Sequence, residues 1–135
     1  MIRTIYEGNL KTRLTHEDSG VEILTEAPRD NGGTGDSFSP TDLLAAALSS
    51  CMLTLMGLAA KKLQLNIEGA TALVGKEMTT VPLRRIKSLH TAIAVPGKGL
   101  SPDVRQRLEK AAMSCPVKES LHDSIEVTVV FEYED

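Results

Sequence analysis

Eighteen consecutive residues without a charge, Leu43 to Ala60, constrain this chain more than any other feature. The run is close to the ~20 residues that a membrane-spanning helix needs. Ser49, Ser50, Thr54 and Gly57 interrupt it, many of the others are alanine, and strand-like segments surround it. It therefore reads as a buried helix of a soluble protein, with no membrane as partner. A helix apolar on nearly every side must be covered on nearly every side, and the remaining chain is short for that task. A partner subunit is the economical source of the missing cover.

Several signals agree on where this helix starts. Ser39 can cap it, Pro40 suits the first helical position, and Asp42 sits where it can complete a capping box. The helix is expected to end near Lys62 or Leu63. Three extended segments precede it, Ile2 to Tyr6, Leu10 to His16 and Val21 to Thr25, with Gly8 and Asp18-Ser19-Gly20 as turn signals. Between them and the helix lies a Gly-rich loop, Ala27 to Ser37, of a length that often borders a functional site.

After the helix, Ile67 to Met78 and Arg85 to Val95 read as strands. In the second, Leu89, Thr91, Ile93 and Val95 share one face. Ser101-Pro102-Asp103 opens another helix, with Val104, Leu108, Ala111 and Ala112 as its buried stripe. A break at Ser114-Cys115-Pro116 leads into a third helix, to about His122, and Ile125 to Tyr133 is a last strand. The order βββ-α-ββ-αα-β lacks βαβ alternation. It favours one α+β domain over residues 1–135, with sheets packed on helices.

Charge and composition exclude several roles. The net charge is −3, and the densest basic pairs, Lys61-Lys62 and Arg84-Arg85, read as solvated element ends. A nucleic-acid surface would show clustered excess of Lys and Arg. Aromatic residues are 3% of the chain, so a pocket lined by several rings is not expected. The N-terminus lacks the apolar core of a signal peptide, which points to an intracellular protein. His16, His90 and His122 have no zinc-ligand spacing, and Gly32-Gly33-Thr34-Gly35 lacks the lysine of a phosphate loop. His122 beside Asp123 could act as an oriented base, or simply favour a helix C-terminus.

The chemistry left rests on two cysteines. Cys51 lies mid-helix among Ala47, Leu48, Thr54 and Leu55, where it can equally be a small buried hydrophobe. Cys115 precedes Pro116 at a helix start, where free N–H groups and the dipole favour a thiolate; the plain alternative is a cysteine that only caps the helix. Small residues beside both would let their helices pack closely and bring the sulfurs together. A separation of 64 positions excludes a CxxC motif, and spacing alone cannot prove contact.

Phe38-Ser39-Pro40-Thr41-Asp42-Leu43-Leu44-Ala45-Ala46-Ala47-Leu48-Ser49-Ser50-Cys51 resembles the helix start of the OsmC/Ohr family, the osmotically inducible and organic hydroperoxide resistance proteins. Ala111-Ala112-Met113-Ser114-Cys115-Pro116-Val117 is similar to that family's second motif. Element order and length match as well, so the resemblance covers essentially the whole chain. It implies an OsmC-like fold of antiparallel sheets packed around a long central helix, in an intertwined homodimer with active sites at the interface. It implies a cytoplasmic antioxidant peroxidase of the stress response that reduces organic hydroperoxides, without metal or flavin. Cys51 would be the attacking thiolate, and Cys115 would close a disulfide on its sulfenic acid. A dithiol, a lipoyl group in some members, would regenerate the pair.

The family's helix-start Glu is replaced here by Thr41, with Asp42 one place later. A gapless reading puts Leu10 where the family has a hairpin Arg, so Arg13 (or Lys11) is the candidate cation beside Cys51, with Asp42 to orient it. A solvated strand arginine and a capping aspartate are the plain readings of those two. The alternative function is a non-enzymatic redox sensor or a small-ligand-binding relative.

Overall fold

The computed structural model describes residues 1–134. They form two compact units, Met1–Leu44 and the residues from Ala45 onward. In the first, β1 (Ile2–Gly8), β2 (Lys11–His16) and β3 (Glu22–Glu26) make an antiparallel sheet in the order β1-β2-β3. Its register places Ile5 opposite Arg13 and Arg13 opposite Leu24. The β1–β2 turn runs through positive φ at Gly8, Asn9 and Leu10. Ile2, Ile5, Tyr6, Ile23 and Leu24 remain exposed on these strands.

The loop expected at 27–37 holds a short 3₁₀ turn, Arg29–Asn31. Gly33 must be glycine, because a Cβ there would stand 1.4 Å from the Ala27 carbonyl oxygen. The loop is fastened by Glu26, whose side chain is buried at 3% exposure. Its carboxylate accepts from Thr34 Oγ1 at 2.9 and 3.0 Å, from the Ser37 N–H at 3.1 Å and from the Asp36 N–H. The Glu26 N–H donates to the Phe38 carbonyl at 3.0 Å. One residue thus ties both ends of a Gly-rich segment to β3.

The Thr34 hydroxyl, with the Asp36 and Ser37 N–H groups, holds the Glu26 carboxyl below its ordinary range against the opposing effect of burial. A lowered folded-state value means the stabilisation is present above the unfolded value, ~4.3, and is lost as pH falls through the folded one. Glu26→Gln is therefore expected to speed amide hydrogen exchange at Asp36 and Ser37 severalfold at neutral pH. The gap between the proteins should close on acidification. Equal exchange across the whole range would remove Glu26 from this role.

Helix α1 (Pro40–Lys62) begins in the first unit and continues in the second. Its start is a reciprocal capping box: the Asp42 N–H donates to Ser39 Oγ at 3.1 Å, and the Ser39 N–H to Asp42 Oδ2 at 2.9 Å. At its end Gln64 takes φ 58°, and the Leu65 N–H closes back on the Ala60 carbonyl at 2.8 Å, the six-to-one bond of a Schellman stop.

In the second unit, β4 (Thr71–Thr79), β5 (Arg85–Val95) and β6 (Glu126–Tyr133) form a sheet in that order. The β4–β5 pair is antiparallel and the β5–β6 pair parallel. The parallel pair is the one departure from the expected antiparallel sheets, and the connection explains it. α2 (Pro102–Met113) and α3 (Pro116–Glu119) lie between β5 and β6, long enough for the crossover that parallel neighbours require. The α3 helix is a single turn, shorter than the sequence suggests.

The core joins Leu48, Met52 and Met56 of α1 to Leu89 and Ile93 of β5, Leu108 and Ala112 of α2, and Cys115, all at 0% exposure. α1 is long and apolar enough to cross a membrane, yet this stripe makes it a core helix of the second unit. Its opposite face, Ala47, Ser50, Thr54 and Leu58, stays open.

Candidate functional site: a thiol pair at a helix break

Cys115 stands where α2 gives way to α3. Pro116 cannot donate into a continuing helix and disfavours helical geometry in the residue before it. Cys115 accordingly adopts φ −70° and ψ 118° and becomes the N-cap of α3. The Lys118 N–H donates to its Sγ at 3.3 Å. The plain capping reading of this residue therefore holds, and it does not exclude the other.

The Cys115 thiol also meets Cys51. Its S–H donates to the Cys51 sulfur, so residues 64 positions apart share one hydrogen bond. Leu48 and Met52 of α1 pack in the same core as Leu108 and Ala112 of α2, which carries the two helices together. Exposure divides the pair: Cys115 is fully buried and Cys51 half-buried. Cys51 lies along the helix between Ala47 and Thr54 of the open α1 face. No bond joins the sulfurs.

The electrostatics of Cys115 reverse the expectation from its helix-start position. Burial pushes its thiol up, and the hydrogen bond to Cys51 adds to this, outweighing the Lys118 N–H. A one-turn helix has little dipole to offer, whereas removal from water penalises the charged form directly. Cys115 is thus held as the protonated partner, and Cys51 is the sulfur that accepts.

The other two candidate residues lie in the first unit. Arg13 donates through Nε to Glu7 at 3.0 Å and reaches Glu22 through Nη1 at 3.5 Å. The Glu7 hydrogen bond and both carboxylate charges hold its guanidinium more firmly protonated. Asp42 caps α1 as described above. The sequence reading did not single out Glu7, Glu22 or Glu26. For Glu26, a carboxylate at a strand end beside a Gly-rich loop was the available signal. Among the described residues no three His, Cys, Asp or Glu side chains gather as metal ligands.

Fold and site together define a small α+β protein with a hydrogen-bonded thiol pair, one sulfur buried and one within reach of solvent. Residues 33–130 match the family model of OsmC-like proteins, and the chain belongs to that family. None of the curated proteins matches it in sequence. A solved structure from Psychrobacter arcticus 273-4, provisionally described as an osmotic stress induced and detoxification response protein, is 40% identical. The match covers 97% of this chain and 94% of that one with a TM-score of 0.91. An organic hydroperoxide resistance protein of Elizabethkingia anophelis, solved with thiocyanate bound, shares the fold at 18% identity. There the coverage is 99% and 96%, and the TM-score 0.76. OhrB of Bacillus subtilis, another organic hydroperoxide resistance protein, shares it at 16% identity, 99% and 98% coverage and a TM-score of 0.70.

Proposed function

We propose that this protein is a thiol-dependent peroxidase acting on organic hydroperoxides in the cytoplasm. The observation that carries the reading is the thiol pair itself, a half-buried Cys51 accepting from a buried, protonated Cys115. The family and the hydroperoxide resistance proteins that share the fold support it. In the first step the Cys51 thiolate attacks the terminal peroxide oxygen. The O–O bond breaks, the alcohol leaves with a proton, and Cys51 becomes a sulfenic acid. In the second step the Cys115 sulfur displaces hydroxide from Cys51, water departs, and a Cys51–Cys115 disulfide remains. An external dithiol then returns both sulfurs to thiols.

Cumene hydroperoxide with and without a dithiol tests this. Many turnovers per chain with dithiothreitol or a dihydrolipoyl compound are expected. Consumption that stops at one equivalent with the dithiol present would leave a redox sensor, the second reading. The pairing of Arg13 with Glu7 and Glu22 is the observation that favours that alternative.

Arg13 is the cation this reading assigns to the thiolate step, with Glu7 and Glu22 to orient it while Asp42 caps α1. Arg13→Ala is then expected to slow both Cys51 alkylation and peroxide reduction at neutral pH about tenfold, the ~1.4 kcal/mol of one charged contact. Superimposable rate profiles against pH would remove Arg13 from the site.

A second copy is the cover proposed for the open α1 face, where Leu58 is 52% exposed, and for the exposed apolar residues of β1 and β3. Such a dimer should bury over ~2,000 Å². Sedimentation at micromolar concentration should return a dimer, and Leu58→Glu should shift it toward monomer. A monomeric wild type would contradict the proposal.

A further inference from the structure

We propose that the regenerating thiol enters at Cys51 and expels Cys115, never the reverse. This rests on the thiol-pair reading above and assigns the direction of its last step. Exchange needs an attacking thiolate in line with one sulfur of the disulfide, and which sulfur is attacked depends on access. Cys115 is at 0% exposure beneath Leu108 and Ala112, whereas Cys51 is half-buried beside the open face of α1. An external thiolate therefore reaches only the Cys51 sulfur.

The leaving side is prepared as well. The new bond joins the external sulfur to Cys51 Sγ, and the Cys51–Cys115 bond breaks with its electron pair going to Cys115 Sγ. That atom already accepts the Lys118 N–H at 3.3 Å, so charge develops where a donor stands ready. Cys115 then takes a proton and returns to its buried, protonated state.

This arrangement also selects the reductant. The expelled Cys115 remains beside the new mixed disulfide and can attack Cys51 again at high effective concentration. A monothiol is thrown off by that return. A dithiol escapes it, because its own second sulfur attacks its first, releasing Cys51 as the thiolate and departing as a cyclic disulfide.

Diamide closes the Cys51–Cys115 bond without any hydroperoxide, so the test does not depend on peroxidase activity. The oxidised protein is exposed briefly to 2-mercaptoethanol, quenched in acid and mapped by mass spectrometry of peptic peptides. The adduct should sit on Cys51 in at least about tenfold excess. In parallel, Cys115→Ser, which keeps Cys51, should react with Ellman's reagent at least about tenfold faster than Cys51→Ser, which keeps Cys115. Adduct chiefly on Cys115, equal reagent rates, or failure of diamide to link the sulfurs would each overturn the proposal. A disulfide formed by diamide but never by hydroperoxide would instead defeat the peroxidase reading and leave the direction of exchange standing.

Discussion

Cys51→Ser is expected to abolish hydroperoxide consumption, with a fall of at least about a thousandfold. The step requires a nucleophile that is ionised near neutral pH and can keep the transferred oxygen as a sulfenic acid. A serine hydroxyl meets neither condition, since it stays protonated at that pH and has no matching oxidation state. The substitution should leave the fold intact, because Cys51 is only half-buried and serine is close to it in size. Its melting transition should therefore remain near that of the wild type, so that lost activity is not lost structure. Peroxide disappearance with a dithiol present, and dimedone labelling of the chain, give the readout. Retained activity with dimedone on Cys115 would exchange the roles of the two sulfurs.

The thiol pair shows where sequence reasoning succeeds and where it stops. α1 could be drawn almost to the residue because its signals are local: a cap at Ser39, a proline at the first turn, and an apolar run that ends at Lys61. β5 was equally legible, its core face of Leu89, Thr91, Ile93 and Val95 following from alternation alone. The parallel β5–β6 pair was hidden because strand direction is set by the α2–α3 crossover, not by any residue within β6. α3 shortened to one turn because Ser120 already closes it, with N–H bonds to the Pro116 and Val117 carbonyls.

The site divides in the same way. The helix-start position of Cys115 suggested a favoured thiolate, but burial is a tertiary property and it reverses the sign. The partners of Arg13 follow from strand register across β1, β2 and β3. Nothing in the sequence neighbourhood of Arg13 names Glu7 and Glu22 above the other acids. The Glu26 clamp escaped notice for a related reason: its donors lie 8 to 11 positions away in a segment that has no periodicity to read.

The second large effect belongs to Cys115→Ser. This variant should lose repeated turnover while keeping a single oxidation at Cys51. Folding should survive, because serine is a preferred N-cap and its Oγ can accept the Lys118 N–H that Sγ accepts now. Placing a hydroxyl at a fully buried position costs about 1–3 kcal/mol where it goes unpaired, and the retained cap bond offsets part of that. A melting temperature lower by a few degrees is the expected price. With the resolving sulfur gone, the first peroxide leaves a sulfenic acid that cannot close a disulfide. Dimedone should label Cys51 close to one per chain, and excess peroxide should carry it on to the sulfinic acid. Turnover with a dithiol should fall at least about tenfold, because the reductant must now find the sulfenic acid itself in place of a disulfide. Full turnover without a trappable sulfenic acid would mean that Cys115 does not resolve Cys51, and that their contact is core packing alone.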